Sequence, residues 1–269
     1  MPIVLENIIY NEENVPFGEK LRDVSVNIDD GEFIGVTGDR GDGASALLRI
    51  IGRAYPPLGG NVKVIDGNAV YADKRPERFL SEKTVEKQVA LPISEKYSSQ
   101  NELHRRCGEA LKVFGLDIEG IGELSPFALT RCEARLVMYA EALTLEAEAI
   151  LLDDPTEGMD AKHSLELMES LKRLNEGGKT VVVASRDTEL LSKFVRRAVI
   201  MKDGEIVRDG SAKSVYTEYY ELLRLGIDVP DTVRCTRALR EHNVDMPINV
   251  LTYEQFIDRL KIIMWRKAL

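Results

Sequence analysis

Some stretches of the chain have the apolar spacing of β-strands and others have the spacing of α-helices, and the two kinds of stretch alternate. Residues 3–10 and 20–28 alternate apolar with polar side chains and end at polar turns, a pattern typical of half-buried strands. Continuous apolar runs at 33–36 and 149–152 are typical of strands buried on both faces. Because helical spacing separates these strands, the pattern favours an α/β protein.

The same patterns predict elements in the rest of the chain. Helical spacing predicts helices at 47–51, 100–143, 161–174 and 214–225. We also predict a strand and turn at 61–67, a strand at 179–184, and a hairpin that joins 198–201 to 205–208. A break at 226–230 precedes a small helical appendage at 231–269.

A glycine-rich loop joins the apolar run at 33–36 to the helix at 47–51. Its spacing matches the phosphate-binding pattern G-x-x-x-x-G-K-[ST], except that Ala44 replaces the lysine, and Ser45 stands where a hydroxyl would hold Mg²⁺. Glycine-rich turns without a ligand are also common between strands and helices, so both interpretations stay open. The predicted nucleotide-binding residues are Gly38, Gly41, Gly43, Ala44, Ser45 and Ala46.

An acidic pair ends the apolar run at 149–152. Asp153 and Asp154 would therefore lie at the carboxyl end of a buried strand, where ligands bind in open α/β sheets. The pair follows the glycine loop by about a hundred residues, which leaves room for an intervening helical segment. The two signals together favour a nucleotide-binding fold.

Charge and composition exclude several classes of protein. The 269 residues carry a net charge of −9 and no basic stripe, so nucleic acid is not expected as a partner. No apolar run approaches the ~18 residues of a membrane span, and no secretory signal is evident at the N-terminus. Three widely spaced cysteines, Cys107, Cys132 and Cys235, suit reduced thiols, so we expect a cytoplasmic protein.

The order of these elements resembles the ATPase subunit of ABC transporters over essentially the whole chain. Stretches at 79–90, 125–130 and 226–254 are similar to the energy-coupling-factor, or cobalt-type, transporter ATPases. The resemblance implies a P-loop NTPase fold, with a mainly parallel sheet core, some antiparallel strands and a helical subdomain at about 90–145. It also implies a cassette domain at 1–228 and a C-terminal helical extension at 229–269.

The resemblance assigns roles to acidic and basic residues beyond the glycine loop. Asp153 matches the aspartate that holds Mg²⁺, so Ser45 and Asp153 are the expected metal site. Asp154 takes the place of the catalytic glutamate and is one methylene shorter, which makes it a weak candidate base. Asp160 matches the D-loop aspartate or is simply the N-cap of the helix at 161. Arg186 stands at the position of the switch histidine.

The family's signature, Leu-Ser-Gly-Gly-Gln, is altered in this chain. It corresponds to Leu129, Thr130, Arg131, Cys132 and Glu133. The side chains of Arg131 and Cys132 would obstruct the approach of backbone amides to a partner-bound phosphate, which glycine permits. An ordinary amphipathic helix at 129–143 is an equally good interpretation.

Other family positions are also altered. No glutamine is found at 71–75, where the Q-loop is expected, and the residue that would stack on adenine corresponds to Glu12. Tyr10 is close to it and is expected to face the core. The histidines are expected to be solvated or structural, namely His104, His163 and His242.

These substitutions leave two functions open. The first is an importer subunit for a vitamin or metal ion that keeps the fold, binds ATP and Mg²⁺ weakly and hydrolyses little ATP; the second is an active ATPase. Either would pair with a second ABC ATPase subunit, in a homodimer or heterodimer, and with a transmembrane component, on the cytoplasmic face of the membrane. Residues 71–92 would line the groove for that component, and a C-terminal apolar stripe would form an interface or cover the sheet: Phe256, Leu260, Ile263 and Met264.

Overall fold

The computed structural model describes residues 2–12, 18–64, 68–75 and 78–267. Its strands are β1 (Ile3–Asn11), β2 (Lys20–Ile28), β3 (Phe33–Thr37), β4 (Gly59–Val64), β5 (Ala69–Ala72), β6 (Ala149–Asp153), β7 (Thr180–Ala184), β8 (Arg197–Lys202) and β9 (Glu205–Ser211). Its first helices are α1 (Ala44–Ile51), α2 (Val85–Ala90), α3 (Gln100–Val113), α4 (Ile118–Ile121), α5 (Arg131–Thr144) and α6 (Ala161–Glu176). The later helices are α7 (Thr188–Phe194), α8 (Ala212–Tyr216), α9 (Tyr219–Leu225), α10 (Asp231–Glu241) and α11 (Tyr253–Lys267).

Two sheets form the body of the molecule. The larger has the order β5-β6-β7-β3-β8-β9, in which all neighbours are parallel except the β8–β9 hairpin. The smaller sheet, β2-β1-β4, is antiparallel. The expected α/β architecture, with a mainly parallel core and added antiparallel strands, is therefore confirmed.

The two faces of the larger sheet pack into different hydrophobic clusters, because successive side chains of a strand point to opposite faces. On β3, Phe33 joins the cluster shared with the helices, whereas Ile34 joins the cluster between the two sheets. Helix α1 is buried in the second cluster and is apolar around most of its surface, with Leu47 and Leu48 almost fully buried. The α1 N-terminus is thereby fixed at the carboxyl ends of β3 and β6.

Helices α2 to α5 form the helical segment between β5 and β6. Their apolar faces share one core, to which Val89, Cys107, Leu111 and Val137 contribute. Helix α5 begins at a capping box in which the Thr130 hydroxyl accepts the Glu133 N–H and the Glu133 carboxylate accepts the Thr130 N–H. This cap fixes where the helix starts.

Several element boundaries differ from the predicted ones. The predicted helix at 214–225 is wrong as one helix, because α8 ends at Tyr216 and α9 starts at Tyr219. Strand β5 was not predicted, since its four residues show little alternation and it is defined by its parallel pairing with β6. Residues 65–67 of the predicted strand and turn at 61–67 lie outside the described residues.

Candidate functional site

The glycine loop lies at the carboxyl end of β3 and passes directly into α1. Gly43 adopts φ 104°, a left-handed conformation that favours glycine. A Cβ atom there would also lie 2.5 Å from the Lys20 carbonyl oxygen, so the start of β2 packs directly on the loop. Both constraints explain why glycine is required at this position.

The hydroxyl of Ser45 and the carboxylate of Asp153 meet at the base of the loop. Ser45 Oγ donates to Asp153 Oδ1 at 2.7 Å, and Asp153 is fully buried. Tyr71 donates its hydroxyl to Asp153 Oδ2 at 3.1 Å, and Arg49 Nη2 lies 3.8 Å from the same oxygen. The predicted metal residues are therefore adjacent, and protein groups contact both carboxylate oxygens.

The carboxylate of Asp154 lies in the same region as Ser45 and Asp153, and the Asp154 backbone has a left-handed conformation. Its φ is 44°, a conformation that costs a non-glycine residue about 1–2 kcal/mol. Lys74 Nζ lies 3.7 Å from Asp154 Oδ2. Burial, and then the charge of Asp153, raise the pKa of Asp154 above its usual value. The predicted base is present, and a lysine already pairs with it.

These side chains surround a small cavity of about 40 Å³, far below the ~300–1,000 Å³ of typical ligand pockets. Five lining residues are acidic and three are basic. Arg186, at the expected switch position, is one of the basic residues. The lining is formed by Glu19, Gly38, Asp39, Arg40, Ala44, Ser45, Lys74, Asp153, Asp154, Glu157, Ala184 and Arg186.

A larger cleft of about 440 Å³ opens beside this cavity and is also acidic. The two share residues on the loop and after β6, including Asp39, Asp154 and Arg186. Asp187 and Asp228 add further carboxylates to the wall of the cleft. The surroundings of the glycine loop thus carry more negative than positive side chains.

The predicted signature residues lie at the start of α5, and none of them lines either cavity beside the glycine loop. Thr130 is the N-cap and Glu133 closes the capping box, as in an ordinary helix. Arg131 is exposed, and Cys132 is half-buried with a pKa raised by burial. The helical interpretation of this segment describes its local structure.

Asp160 is the N-cap of α6. Its carboxylate accepts the His163 N–H at 3.0 Å and contacts His163 Nδ1 at 2.6 Å. Asp160 is therefore an N-cap in this chain, its correspondence to the D-loop aspartate stays a prediction, and the contact gives His163 a structural role. His104 is structural as well, because its ring bridges Glu86 and Glu119 at 3.1 and 3.2 Å.

Arg135 is a buried cation that sequence reasoning missed. Its guanidinium donates to the carbonyl oxygens of Pro155, Glu157 and Lys74 at 3.1, 2.5 and 2.9 Å. Only 1% of the residue is exposed. One side chain of α5 thus holds the segments that follow β5 and β6. An arginine at a buried position of an amphipathic helix is the sequence signal that could have revealed it.

The region after β5 holds Asp73 where a glutamine was sought. Its carboxylate accepts the Tyr71 hydroxyl at 3.2 Å and the Arg75 N–H at 2.9 Å. Gln88 is buried but supports the 79–82 segment, accepting the Ser81 N–H at 2.8 Å. Tyr10 packs at the edge of the core between the two sheets, as expected.

Metal-binding clusters and membrane-spanning helices are both absent from the described residues. Within these ranges no group of three or more histidine, cysteine or acidic side chains is arranged to hold a metal ion. No described helix is both long and apolar enough to cross a lipid bilayer.

Comparisons with known proteins agree with this geometry. The profile of the ABC transporter family matches residues 21–157. The chain is 30% identical to an energy-coupling factor transporter ATP-binding protein of Clostridium tetani, over 100% of this chain and 99% of the relative. It is also 30% identical to a protein of the same name from Caldanaerobacter subterraneus subsp. tengcongensis, over 95% of each chain.

A solved structure shows the same fold. It is a dimeric ATP-binding cassette in a post-hydrolysis state, bound to ADP and Pi, with a TM-score of 0.71 and 29% identity over 78% of this chain and 98% of that one. The chain belongs to the ABC transporter family, as an ATPase domain.

Proposed function

We propose that this chain is a cassette subunit of an energy-coupling-factor importer for a vitamin or a metal ion, and that it has lost most of its ATPase chemistry. It keeps the fold and the docking surfaces, binds ATP and Mg²⁺ weakly and hydrolyses little ATP. The relatives named as energy-coupling factor ATP-binding proteins support the transporter context.

The charge of the phosphate cavity carries this proposal. Ala44 supplies no ammonium, and acidic side chains outnumber basic ones in the lining. Catalysis of phosphoryl transfer rests almost entirely on positioning and electrostatic stabilisation of the phosphates. Because a triphosphate is itself strongly anionic, it would meet net repulsion here rather than a cationic clamp.

The partners follow from the family. ABC cassettes work as dimers with a transmembrane component, so we infer a second ABC ATPase subunit, identical or different, and a membrane protein. The membrane protein would dock in a groove lined by the described part of 71–92. The chain would then sit on the cytoplasmic face of the membrane.

An active ATPase remains the second candidate, and one observation favours it. Ser45 and Asp153 stand in hydrogen-bond contact at 2.7 Å, the arrangement needed to hold a hydrated Mg²⁺. If a second copy of this chain supplied the missing cationic groups, this pair could still support turnover by the purified protein. The two candidates therefore differ in whether turnover depends on Ser45 and Asp153.

Phosphate release separates the two candidates. Release by the purified chain would be followed in excess ATP and Mg²⁺, beside the variants Ser45→Ala and Asp153→Asn. We expect release at the background rate in all three proteins. Sustained release by the parent chain that both substitutions abolish would reject the proposal and establish the active ATPase.

A further inference from the structure

Two amides of the glycine loop, those of Asp39 and Arg40, already have side-chain acceptors within the chain. A phosphate-binding loop acts through backbone N–H groups that point at the anion. Here the Asp39 N–H donates to Asp42 Oδ2 at 2.9 Å, and the Arg40 N–H donates to Asp39 Oδ1 at 2.7 Å. The loop is therefore partly saturated by its own carboxylates.

Asp42 is held firmly in this arrangement. Its carboxylate also accepts the N–H of Asp203, in the turn between β8 and β9, at 3.0 Å and lies 3.4 Å from Nζ of Lys202, the last residue of β8. Only 6% of the residue is exposed. The Asp39 N–H thus donates to a carboxylate that also accepts a hydrogen bond from the β8–β9 turn, and this carboxylate connects the loop to the turn.

Glu19 approaches the loop from the opposite side. The chain at 19–21 packs on Gly43, where an added Cβ would lie 2.5 Å from the Lys20 carbonyl oxygen and 2.9 Å from Leu21 Cδ2. Glu19 lines the small cavity together with Ala44 and Ser45. Its Oε2 is buried and accepts no hydrogen bond from any described residue.

The electrostatic surroundings of Glu19 agree with this position. The pKa of the Glu19 carboxyl is raised, first by burial and also by the charge of Asp153, although the Arg49 charge, the Gly43 N–H and the Lys74 charge oppose the shift. The Gly43 amide, one of the loop's donors, thus acts on a side-chain carboxylate. The cations of the cavity act on the same group.

We propose that Glu19 is a specificity-determining residue that excludes phosphate from the glycine loop by placing its own carboxylate in the anion position. This inference rests on the proposed function, because it gives a second cause for weak nucleotide binding beyond Ala44. A phosphate entering the loop would approach the Glu19 carboxylate, which has the same sign of charge and lines the same cavity as Ala44 and Ser45. Neutralising Glu19 while keeping its shape therefore opens the loop to anions.

The test is Glu19→Gln in the full 269-residue chain, titrated by calorimetry with inorganic phosphate and with ADP. We expect both ligands to bind at least about tenfold more tightly than to the parent chain. Glu6→Gln is the matched control, since it removes one negative charge from an exposed pair with Lys63, outside the cavity. That control should bind as the parent does.

Two further measurements keep the test decisive. Thermal unfolding should show that Glu19→Gln is at least as stable as the parent, because the charge of a carboxylate whose buried Oε2 has no hydrogen-bond partner is removed. If this variant does not fold, Glu19→Ala takes its place. Affinities equal to those of the parent and of Glu6→Gln overturn the inference.

The experiments distinguish failure of the Glu19 inference from failure of the proposed function. If Ala44→Lys tightens binding while Glu19→Gln does not, the Glu19 inference fails and the proposed function stands. If the parent chain binds ATP at micromolar concentration and releases phosphate steadily, the proposed function fails whatever Glu19→Gln does.

Discussion

At position 44 the chain carries a methyl group where a phosphate-binding loop ordinarily carries an ammonium. The backbone around it keeps the expected course, with Gly43 in a left-handed conformation and α1 starting directly afterwards. The side chains around it do not compensate, because Lys74 pairs with Asp154 and Arg49 lies against Asp153. The local fold has therefore been retained while the charge has been lost.

Ala44→Lys restores the missing cation. We expect nucleotide to bind more tightly by about 1.5–3 kcal/mol, the contribution of a hydrogen bond to a charged group, whereas turnover stays low because Asp154 remains short. Calorimetry and phosphate release measure the two effects. Asn61→Lys, on exposed β4, adds the same charge elsewhere and should change neither. Equal affinities for the two lysine variants would contradict this account.

How far side chains could be placed from sequence depends on how local their contacts are. The phosphate-loop pattern predicts the position of Ser45, and the acidic strand predicts that of Asp153. The contact between these two side chains could therefore be expected from the sequence. Tyr71 and Arg135 reach the same region from β5 and α5, and only tertiary packing brings them there. No short-range pattern could have predicted these two contacts.

Among the elements, helix α5 connects the helical segment to the ends of the central strands. Arg135 is the connection, since its guanidinium binds carbonyl oxygens on both sides of the cavity. Strands β3, β6 and β7 could be predicted from continuous apolar runs. The break between α8 and α9 could not, because the apolar spacing continues across Thr217 and Glu218.

Arg135→Leu should loosen this connection. We expect a loss of about 1–3 kcal/mol in the free energy of unfolding, because buried carbonyl groups lose their donors. Hydrogen exchange should accelerate in 73–75 and 154–158. Arg131→Leu, an exposed position in the first turn of the same helix, is the control and should leave exchange unchanged. Identical exchange in both variants would refute the role of Arg135.

His104 makes the stability of the helical segment depend on pH. Hydrogen bonds that the His104 ring donates to the Glu119 and Glu86 carboxylates raise the pKa of His104 in the folded chain. The ion pairs therefore contribute fully below the unfolded pKa of about 6.5 and are lost as the pH rises through the folded value.

His104→Gln tests this pH dependence in urea titrations at pH 6 and pH 8.5. The parent should lose more stability than the variant on going from the lower to the higher pH. His242→Gln removes a histidine outside the helical segment and should behave as the parent does. If the variant's stability depended on pH as the parent's does, His104 would not contribute to the pH dependence of stability.

At the scale of the whole molecule, the C-terminal extension consists of two different parts. Val233 of α10 and Leu251 belong to the main core, so this part is packed on the body of the protein. In α11 the predicted stripe is only half-buried at Phe256 and exposed at Met264, and Trp265 is 78% exposed. The sequence predicted a helical appendage at 231–269, but it did not separate the two helices or tell which one is covered.

Two truncations test this division. Removal of 253–269 should leave the unfolding free energy unchanged, whereas removal of 231–269 should cost about 1.5–3 kcal/mol for each buried apolar side chain lost. Urea unfolding measures stability and sedimentation measures association. Loss of association after the shorter truncation, with the fold intact, would make α11 an interface. Equal destabilisation by both truncations would contradict the division.

The central claim is that this ABC cassette has kept its fold but binds ATP only weakly. Calorimetric titration of the 269-residue chain with ATP in the presence of Mg²⁺ tests it most directly. The account predicts no saturable binding at micromolar ATP. Micromolar affinity for ATP in the parent chain, accompanied by steady phosphate release, would contradict it.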